Sequence, residues 1–304
     1  MSTQSVLFDA PGPRARRRHA ILAVVGVAVA LAALYFVLRK MQAANQLQGF
    51  MWKPFVTDRA VWRDYLLPGL WGTVKAALIS ILLAGVFGLV FGIGRLSTVA
   101  PVRWVSSVVV EFFRAVPVLI MMIFAFGVYT RSHVFADALN PLAAVVTGLT
   151  LYNGSVIAEL VRSGVHALPA GQGEAGLSIG LTPGQVLRSI QLPQALTAML
   201  PALIGQFVTI LKDSALGYQV LYSSELLSQS KTLGSNFANT VPAYIVAAIL
   251  FITMNYLLSR LAVYVERRLS RRGRTTLHAT GPVLGDADQE PAPPVSAGSA
   301  GLSR

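Results

Sequence analysis

Long apolar runs constrain this chain more than any other feature of its sequence. A run of about 18 or more uncharged, mostly apolar residues is long enough to cross roughly 30 Å of hydrocarbon as an α-helix. Such runs occupy six stretches, namely 21–38, 69–94, 105–130, 138–158, 194–211 and 238–259. They lack the two-residue alternation that is typical of a membrane β-barrel. The sequence therefore predicts an all-α polytopic membrane protein with about six transmembrane helices.

Composition and charge support a membrane location. Of the 304 residues, 54% are hydrophobic and 12% are charged, whereas soluble domains carry about 25% charged residues. The net charge is +12, but the basic residues cluster at 14–18 and 260–274, each beside an apolar run. This distribution is typical of cytoplasmic ends, so we expect both termini in the cytoplasm, a lipid membrane as partner and no nucleic acid.

Residues that commonly hold cofactors or metals are scarce in this chain. It has no cysteine, which excludes disulfides and cysteine-ligated zinc, and its four histidines are scattered over tails and loops. We therefore expect no metal site and no cofactor.

The apolar runs and the shifts in composition divide the chain into five parts. The first run is longer than the core of a cleaved signal peptide, which is about 7–15 residues, so we expect it to be retained as an anchor. The end of the chain is rich in Gly, Pro, Ala and Ser and is expected to be disordered. The parts are a basic cytoplasmic tail (1–20), a first transmembrane helix (21–38), an extracytoplasmic or interfacial loop (39–67), a transmembrane domain (68–265) and a disordered cytoplasmic tail (266–304).

The stretch "EAGLSIGLTPGQVLRSIQLPQAL" (174–196) lies between two apolar runs and has strong local signals. Its segment TPGQ (182–185) has the form of a capping box with proline at the first helical position. Gly180 can adopt the left-handed conformation that ends a helix. The pattern predicts a helix over 172–179, a sharp turn and a second helix, which Pro193 interrupts as the next span begins. Such a compact knob is suited to insertion into a cleft on a partner protein.

The spacing within this loop resembles a known motif. The pattern E-A-A, three residues, Gly, nine residues, Ile, any residue, Leu, Pro marks the membrane subunits of ATP-binding-cassette importers. The matching residues are Glu174, Ala175, Gly176, Gly180, Ile190, Leu192 and Pro193. One position departs from the pattern, because Gly176 stands where the motif has alanine, and this weakens the helix by up to about 1 kcal/mol.

The resemblance covers about residues 65–265. Stretches such as "EFFRAVPVLIMMIF" (111–124) and "LPQALTAMLPALIGQFVTILKDSAL" (192–216) are similar to the polar amino acid uptake branch, including glutamate and glutamine permeases. The resemblance implies a five-helix permease core, to which this chain adds an N-terminal helix.

The resemblance also implies a function and a set of partners in the cytoplasmic membrane. Two permease subunits, identical or sister chains, would bind a cytoplasmic ABC ATPase dimer, and an extracytoplasmic solute-binding protein would deliver a polar amino acid. The loop 159–193 would couple ATP binding to transport, with Glu174 contacting the ATPase, Gly180 forming the turn, and Leu192 and Pro193 fixing the loop to the fifth span. The chain is not expected to be an enzyme, because no Gly-Lys-Ser/Thr sequence of a P-loop occurs.

Five polar residues in or near the spans are candidates for the substrate pathway. Glu111 and Arg114 lie three apart and can pair, either to serve the substrate or to position the helix. Lys212 and Asp213 close the fifth span, where a cation could bind an amino acid carboxylate or reach the outer surface. Asn153 lies in mid-span and needs partners, which could be the pathway or a neighbouring helix.

Two further patterns concern helix contacts. Glu159 and Arg162 lie three apart and are expected to form a solvated pair. Small residues at Ala84, Gly88 and Gly92 repeat every four positions, which predicts a close helix–helix contact.

An ion-coupled secondary transporter is the alternative function. That class usually places carboxylates or broken helices at mid-membrane. In this sequence Glu111 alone comes near such a position, and it lies close to a span end. The importer reading is therefore favoured.

Overall fold

The structure, a computed structural model, describes residues 12–274, with side chains described for residues 14–264. Within this range the chain is helical and has no β-strand, as the sequence predicted. The helices are α1 Pro13–Ala43, α2 Gly49–Thr57, α3 Leu67–Arg95, α4 Ala100–Ala115, α5 Val118–Ser132, α6 Asn140–His166, α7 Ala170–Ser178, α8 Pro183–Val186, α9 Leu192–Ala198, α10 Leu200–Asp213, α11 Leu226–Asn236 and α12 Thr240–Arg274. Short π- or 3₁₀-turns join some of them, at Val61–Leu66, Asp137–Leu139, Leu187–Gln191 and Ser214–Val220.

The helices form up to six membrane spans if each bent pair counts as one span. Four unbroken stretches are long and apolar enough to cross, namely Arg14–Ala43, Val61–Arg95, Asp137–His166 and Thr240–Tyr264. The other two spans are the pairs α4–α5, bent by 100°, and Pro183–Ala198 with Leu200–Val220, bent by 60°. The number of spans agrees with the sequence prediction.

The bends correct two of the predicted spans. The prediction of unbroken runs over 105–130 and 194–211 is wrong. Val116 is extended, with φ −87° and ψ 127°, because the residue before a proline avoids the helical region and Pro117 has no N–H to continue the helix. The second break falls at Met199, just before Pro201. Apolar composition predicts that such a segment lies in the membrane, but it does not predict where the helix bends.

The first helix stands apart from the packed core. α1 begins at Pro13, within the predicted basic tail, and none of its most apolar 18-residue window is buried. The segment 39–67, expected as a loop, contains α2 and a π-turn. At the other end α12 continues to Arg274, so the predicted tail 266–304 is helical at its start. Residues 1–11 and 275–304 lie outside the described range.

The centre of the bundle is the contact between α3 and α6. A Cβ atom on Gly88 would lie 2.6 Å from the Cβ of Ile157, and one on Gly92 would lie 2.8 Å from the Cβ of Val161. Ala84 is fully buried. The predicted close contact at these small residues is therefore confirmed, and it brings the two helix backbones together.

A second apolar cluster closes the end of the bundle away from the Glu174 loop. Leu66, Leu226, Leu233 and Ala243 are fully buried there. The cluster packs α11 and α12 against the start of α3. It fixes the position of α11 and of the polar residues that precede it.

Candidate functional site

The turn between α7 and α8 is held by two backbone hydrogen bonds. Gly180 has φ +86°, which confirms the left-handed turn predicted for it. Its N–H donates to the Leu177 carbonyl at 3.0 Å, and the Leu181 N–H donates to the Gly176 carbonyl at 3.2 Å. This pair of bonds is a Schellman motif, which satisfies the last carbonyl groups of α7.

The start of α8 is a capping box, as the sequence predicted. The Thr182 N–H donates to Oε1 of Gln185 at 2.8 Å, and the Thr182 hydroxyl donates to the same oxygen at 3.0 Å. Pro183 takes the first helical position, where a missing N–H costs nothing. The predicted interruption at Pro193 is wrong, because the helix continues through the π-turn into α9 and Pro193 lies in the first turn of α9. The segment from α7 through the π-turn therefore has a fixed backbone shape, and we call it the knob.

Gly176 has a packing role that its place in the motif did not reveal. It is buried, and a Cβ atom there would lie 2.8 Å from both Cδ1 of Ile190 and Cγ2 of Val186. Because Gly176 has no side chain, α7 approaches α8 and the π-turn more closely than it could with alanine at this position. This contact offsets the weaker helix propensity of glycine at that position.

The remaining motif residues divide into an exposed group and an anchoring group. Glu174 and Ala175 are exposed, and the Glu174 carboxylate has no hydrogen bond or ion pair within residues 14–264. Leu177 and Ile179 beside it are also exposed, at 51% and 77%. Leu192 packs against the central core. The knob therefore presents one carboxylate among apolar side chains and is anchored at its C-terminal end.

Five charged side chains form a network at the same end of the bundle. Nη1 of Arg95 lies 2.7 Å from Oε2 of Glu159, and its Nη2 lies 2.9 Å from Oε1 of Glu111. Arg114 contacts both carboxylates at 3.4 Å. Arg162 lies 2.7 Å from Oε1 of Glu159. The network joins the ends of α3, α4 and α6 and leaves one net positive charge.

This network changes the interpretation of two predicted pairs. Glu111 and Arg114 do pair, but both also bind residues of other helices. The prediction that Glu159 and Arg162 form a merely solvated pair is wrong, because Glu159 also binds Arg95, whose side chain is only 9% exposed. Sequence reasoning missed Arg95, since its partner Glu159 is 64 positions away.

The side-chain amide of Asn153 links α6 to a neighbouring helix by a hydrogen bond. It is fully buried in α6, and its Nδ2 donates to the Leu149 carbonyl at 2.9 Å. Its Oδ1 accepts a hydrogen bond from Gln206 of α10. Of the two alternatives, the geometry favours the bond to a neighbouring helix. Lys212 and Asp213 lie further along α10, remote from the charge network.

A buried carboxylate at the opposite end escaped the sequence analysis. Glu225 is fully buried and caps α11, accepting from the Ser228 N–H at 3.0 Å. The Thr73 hydroxyl donates to it at 3.4 Å, and the Leu226 N–H donates to the Thr73 oxygen at 3.0 Å. Burial is the main cause that raises the pKa of Glu225 to about 7. A glutamate directly before the two leucines that begin α11 was the available signal.

Glu225 makes stability depend on pH. Its folded pKa of about 7 lies above the reference value of 4.5, so the folded state binds more protons between these values and loses stability as pH rises through them. Between pH 5 and pH 7.5 the free energy of unfolding should fall by up to about 3 kcal/mol. We therefore expect the melting temperature in detergent to fall over the same range. Glu225→Gln should reduce this fall. An unchanged pH profile in Glu225→Gln would contradict the assignment.

The chain resembles known proteins over the part that contains the transmembrane bundle and the knob. Residues 63–271 match the family model "Binding-protein-dependent transport system inner membrane component". The glutamate transport system permease protein GluD of Corynebacterium glutamicum is 46% identical over 245 residues, which cover 81% of this chain and 89% of GluD. The probable glutamine ABC transporter permease protein GlnP of Bacillus subtilis is 32% identical, covering 67% of this chain and 93% of GlnP.

Solved structures show the same fold. The crystal structure of an amino acid ABC transporter with histidines has a TM-score of 0.60 and 28% identity, covering 67% of this chain and 93% of that chain. An inward-facing MetNI methionine ABC transporter has a TM-score of 0.58 at 24% identity, covering 68% and 97%. The second likeness concerns the fold alone.

Proposed function

Because the chain belongs to the family of binding-protein-dependent transport system inner membrane components, it is the permease subunit of an ATP-binding-cassette amino acid importer, and we propose that its solute is glutamate. The observation that carries the proposal is the 46% identity with GluD, a glutamate transport permease. ATP hydrolysis belongs to a separate subunit in this family. No relative supports the ion-coupled alternative.

The Glu174 knob is the proposed contact with the ATPase. Its backbone is fixed by the Schellman motif at Gly180 and the capping box at Thr182, so it can enter a cleft without losing much conformational freedom. Its exposed carboxylate lies beside Leu177 and Ile179, which suits a cleft with apolar walls and one cation. Differential contact with this knob would bias the permease between its two states.

The charge network and Leu192 provide the proposed route from the knob to the spans. α7 follows α6 after three residues, and the end of α6 is held to α3 and α4 through Glu159. On the other side Leu192 anchors the knob to the core. Movement of the knob would therefore be passed to several spans at once. In this role Glu111 and Arg114 position helices, and Asn153 positions α6 against α10.

The proposed orientation places the knob and both termini in the cytoplasm. The basic clusters at 14–18 and 260–274 flank the first and last spans and favour this orientation. A cytoplasmic ATPase dimer would then bind the knobs of two permease subunits, either two copies or a copy and a sister chain. An extracytoplasmic solute-binding protein would dock at the opposite end.

Copurification and uptake test the proposal. We expect the solubilised protein to copurify with a P-loop ATPase, and the reconstituted complex with its binding protein to accumulate radiolabelled glutamate when ATP is enclosed on the knob side. The permease purified alone should hydrolyse no ATP. Uptake driven by an ion gradient without an ATPase would contradict the proposal, and ATP-driven uptake of another amino acid would contradict the choice of glutamate.

A further inference from the structure

A polar cavity lies between the knob and the connection that joins α3 to α4. Its volume is about 440 Å³, and its walls are drawn from residues 93–98 on the side of α3 and from residues 182–189 on the side of the knob. Side-chain hydroxyl groups line both walls, from Ser97, Thr98, Thr182 and Ser189. Such a lining suits water or a polar solute and not a lipid chain.

Hydrogen bonds fix the backbone of both walls. On the knob, the capping box at Thr182 holds the start of α8. On the side of α3, the Val99 N–H donates to Oγ of Ser97 at 3.1 Å, and Nη1 of Arg103 donates to the Ser97 carbonyl at 3.0 Å. A solute that binds between the walls therefore loses little free energy to ordering of the backbone.

The charge around this cavity is positive. Arg188 is the one charged residue among the described residues that line it, and none of them is acidic. Arg188 is exposed, and within residues 14–264 its side chain has no hydrogen bond or ion pair. The same holds for the hydroxyl groups of Thr98 and Ser189. Arg103 adds a second positive charge beside the α3 wall. An unpaired guanidinium group with hydroxyl donors nearby matches the oxygen atoms of a carboxylate or a phosphate.

In the proposed orientation this cavity faces the cytoplasm, and we infer that it binds a small cytoplasmic anion, a carboxylate or a phosphate. Arg188 forms the ion pair, and the Thr98 and Ser189 hydroxyl groups donate to the remaining oxygen atoms. The anion joins the knob to the α3–α4 connection, so its binding favours the arrangement in which these two segments lie side by side. Because the knob is the proposed contact with the ATPase, such a site makes the permease sensitive to the anion content of the cytoplasm.

Equilibrium binding to the nucleotide-free permease–ATPase complex tests this site. Radiolabelled inorganic phosphate and radiolabelled glutamate are the two probes, at constant ionic strength, and the one whose binding depends on Arg188 identifies the anion. We expect Arg188→Gln to raise the Kd for that probe by about 10-fold or more, the range for losing a charged hydrogen bond. Ser189→Ala should raise it less. The matched control is Arg131→Gln, at an exposed arginine of α5, and the ATPase contributes the same background binding to every variant.

Hydrogen exchange tests the link between the two walls. We expect the bound probe to slow the exchange of backbone amides in residues 96–99 and in residues 182–189 of the wild type, and to leave the exchange in Arg188→Gln unchanged. Chloride at the same ionic strength is the control for screening of charge.

Several outcomes would overturn the anion site. Equal binding of both probes by the wild type and Arg188→Gln would remove Arg188 from it, and equal slowing of exchange by chloride would indicate screening alone. Loss of ATPase copurification in Arg188→Gln would mean that the cavity receives the ATPase and not a small anion. ATP-driven glutamate uptake by the wild type is measured in parallel, so that failure of the proposed function is seen separately from failure of this site.

Discussion

The Glu174→Lys variant is expected to lose ATP-driven uptake almost completely while the permease still reaches the membrane. Glu174 is exposed and has no partner within residues 14–264, so its replacement should leave the fold intact. If its carboxylate meets a cation of the ATPase, lysine places two like charges in a contact from which water is excluded, which costs several kcal/mol. Uptake into vesicles, membrane level and ATPase copurification are measured together.

The control for this variant is Asp64→Lys, which makes the same charge change at the opposite end of the bundle. Asp64 is exposed and its contact with Arg63 is 3.7 Å long, so the pair contributes little stability. We expect this control to show a normal membrane level and normal ATPase copurification, and to retain far more uptake than Glu174→Lys. Normal uptake in Glu174→Lys would remove Glu174 from the coupling role, and a loss in both variants would indicate a general charge effect.

Gly72→Ala is expected to have the largest effect on folding. A Cβ atom at Gly72 would lie 2.6 Å from the carbonyl carbon of Ser224 and closer still to its oxygen. These are backbone atoms, so relief requires the whole segment before α11 to move. That segment carries Tyr222, whose hydroxyl donates to the Gly72 carbonyl at 3.1 Å, and Glu225. Overpacking of this kind costs about 1–3 kcal/mol or more, and we expect a marked loss of monodisperse protein and of melting temperature.

Gly85→Ala is the matched control on the same helix. A Cβ atom at Gly85 would meet nothing within 4 Å, and alanine favours a helix over glycine by about 1 kcal/mol. The control should therefore melt at or above the temperature of the wild type. Equal melting temperatures for Gly72→Ala and Gly85→Ala would show that the segment before α11 does not pack against α3 as described.

Features that depend on neighbouring residues were predictable from the sequence. The capping box at Thr182, the left-handed Gly180 and the small residues at Gly88 and Gly92 are local patterns, and each was confirmed. The number of spans follows from apolar runs in the same way. These features use interactions within a few helical turns, so one stretch of sequence contains the whole signal.

Features that depend on which helix faces meet were not predictable. The bonds from Arg95 to Glu159, from Thr73 to Glu225 and from Gln206 to Asn153 join residues 64, 152 and 53 positions apart. Periodicity predicts the apolar side of a helix but not its neighbour or its rotation in a bundle. The bend at Pro117 was missed for a related reason, because hydropathy averages over the proline that breaks the helix.

The close contact between α3 and α6 has a consequence for movement. With glycine at two contact positions, Ile157 and Val161 fit directly against the α3 backbone, so neither helix can slide or roll without a steric clash. The two helices should therefore move as a rigid body. Rotation between parts of the permease is then concentrated at the helix breaks, where hydrogen-bond ladders are already interrupted. We therefore expect the extended Val116 and the break at Met199 to act as hinges when the permease changes conformation.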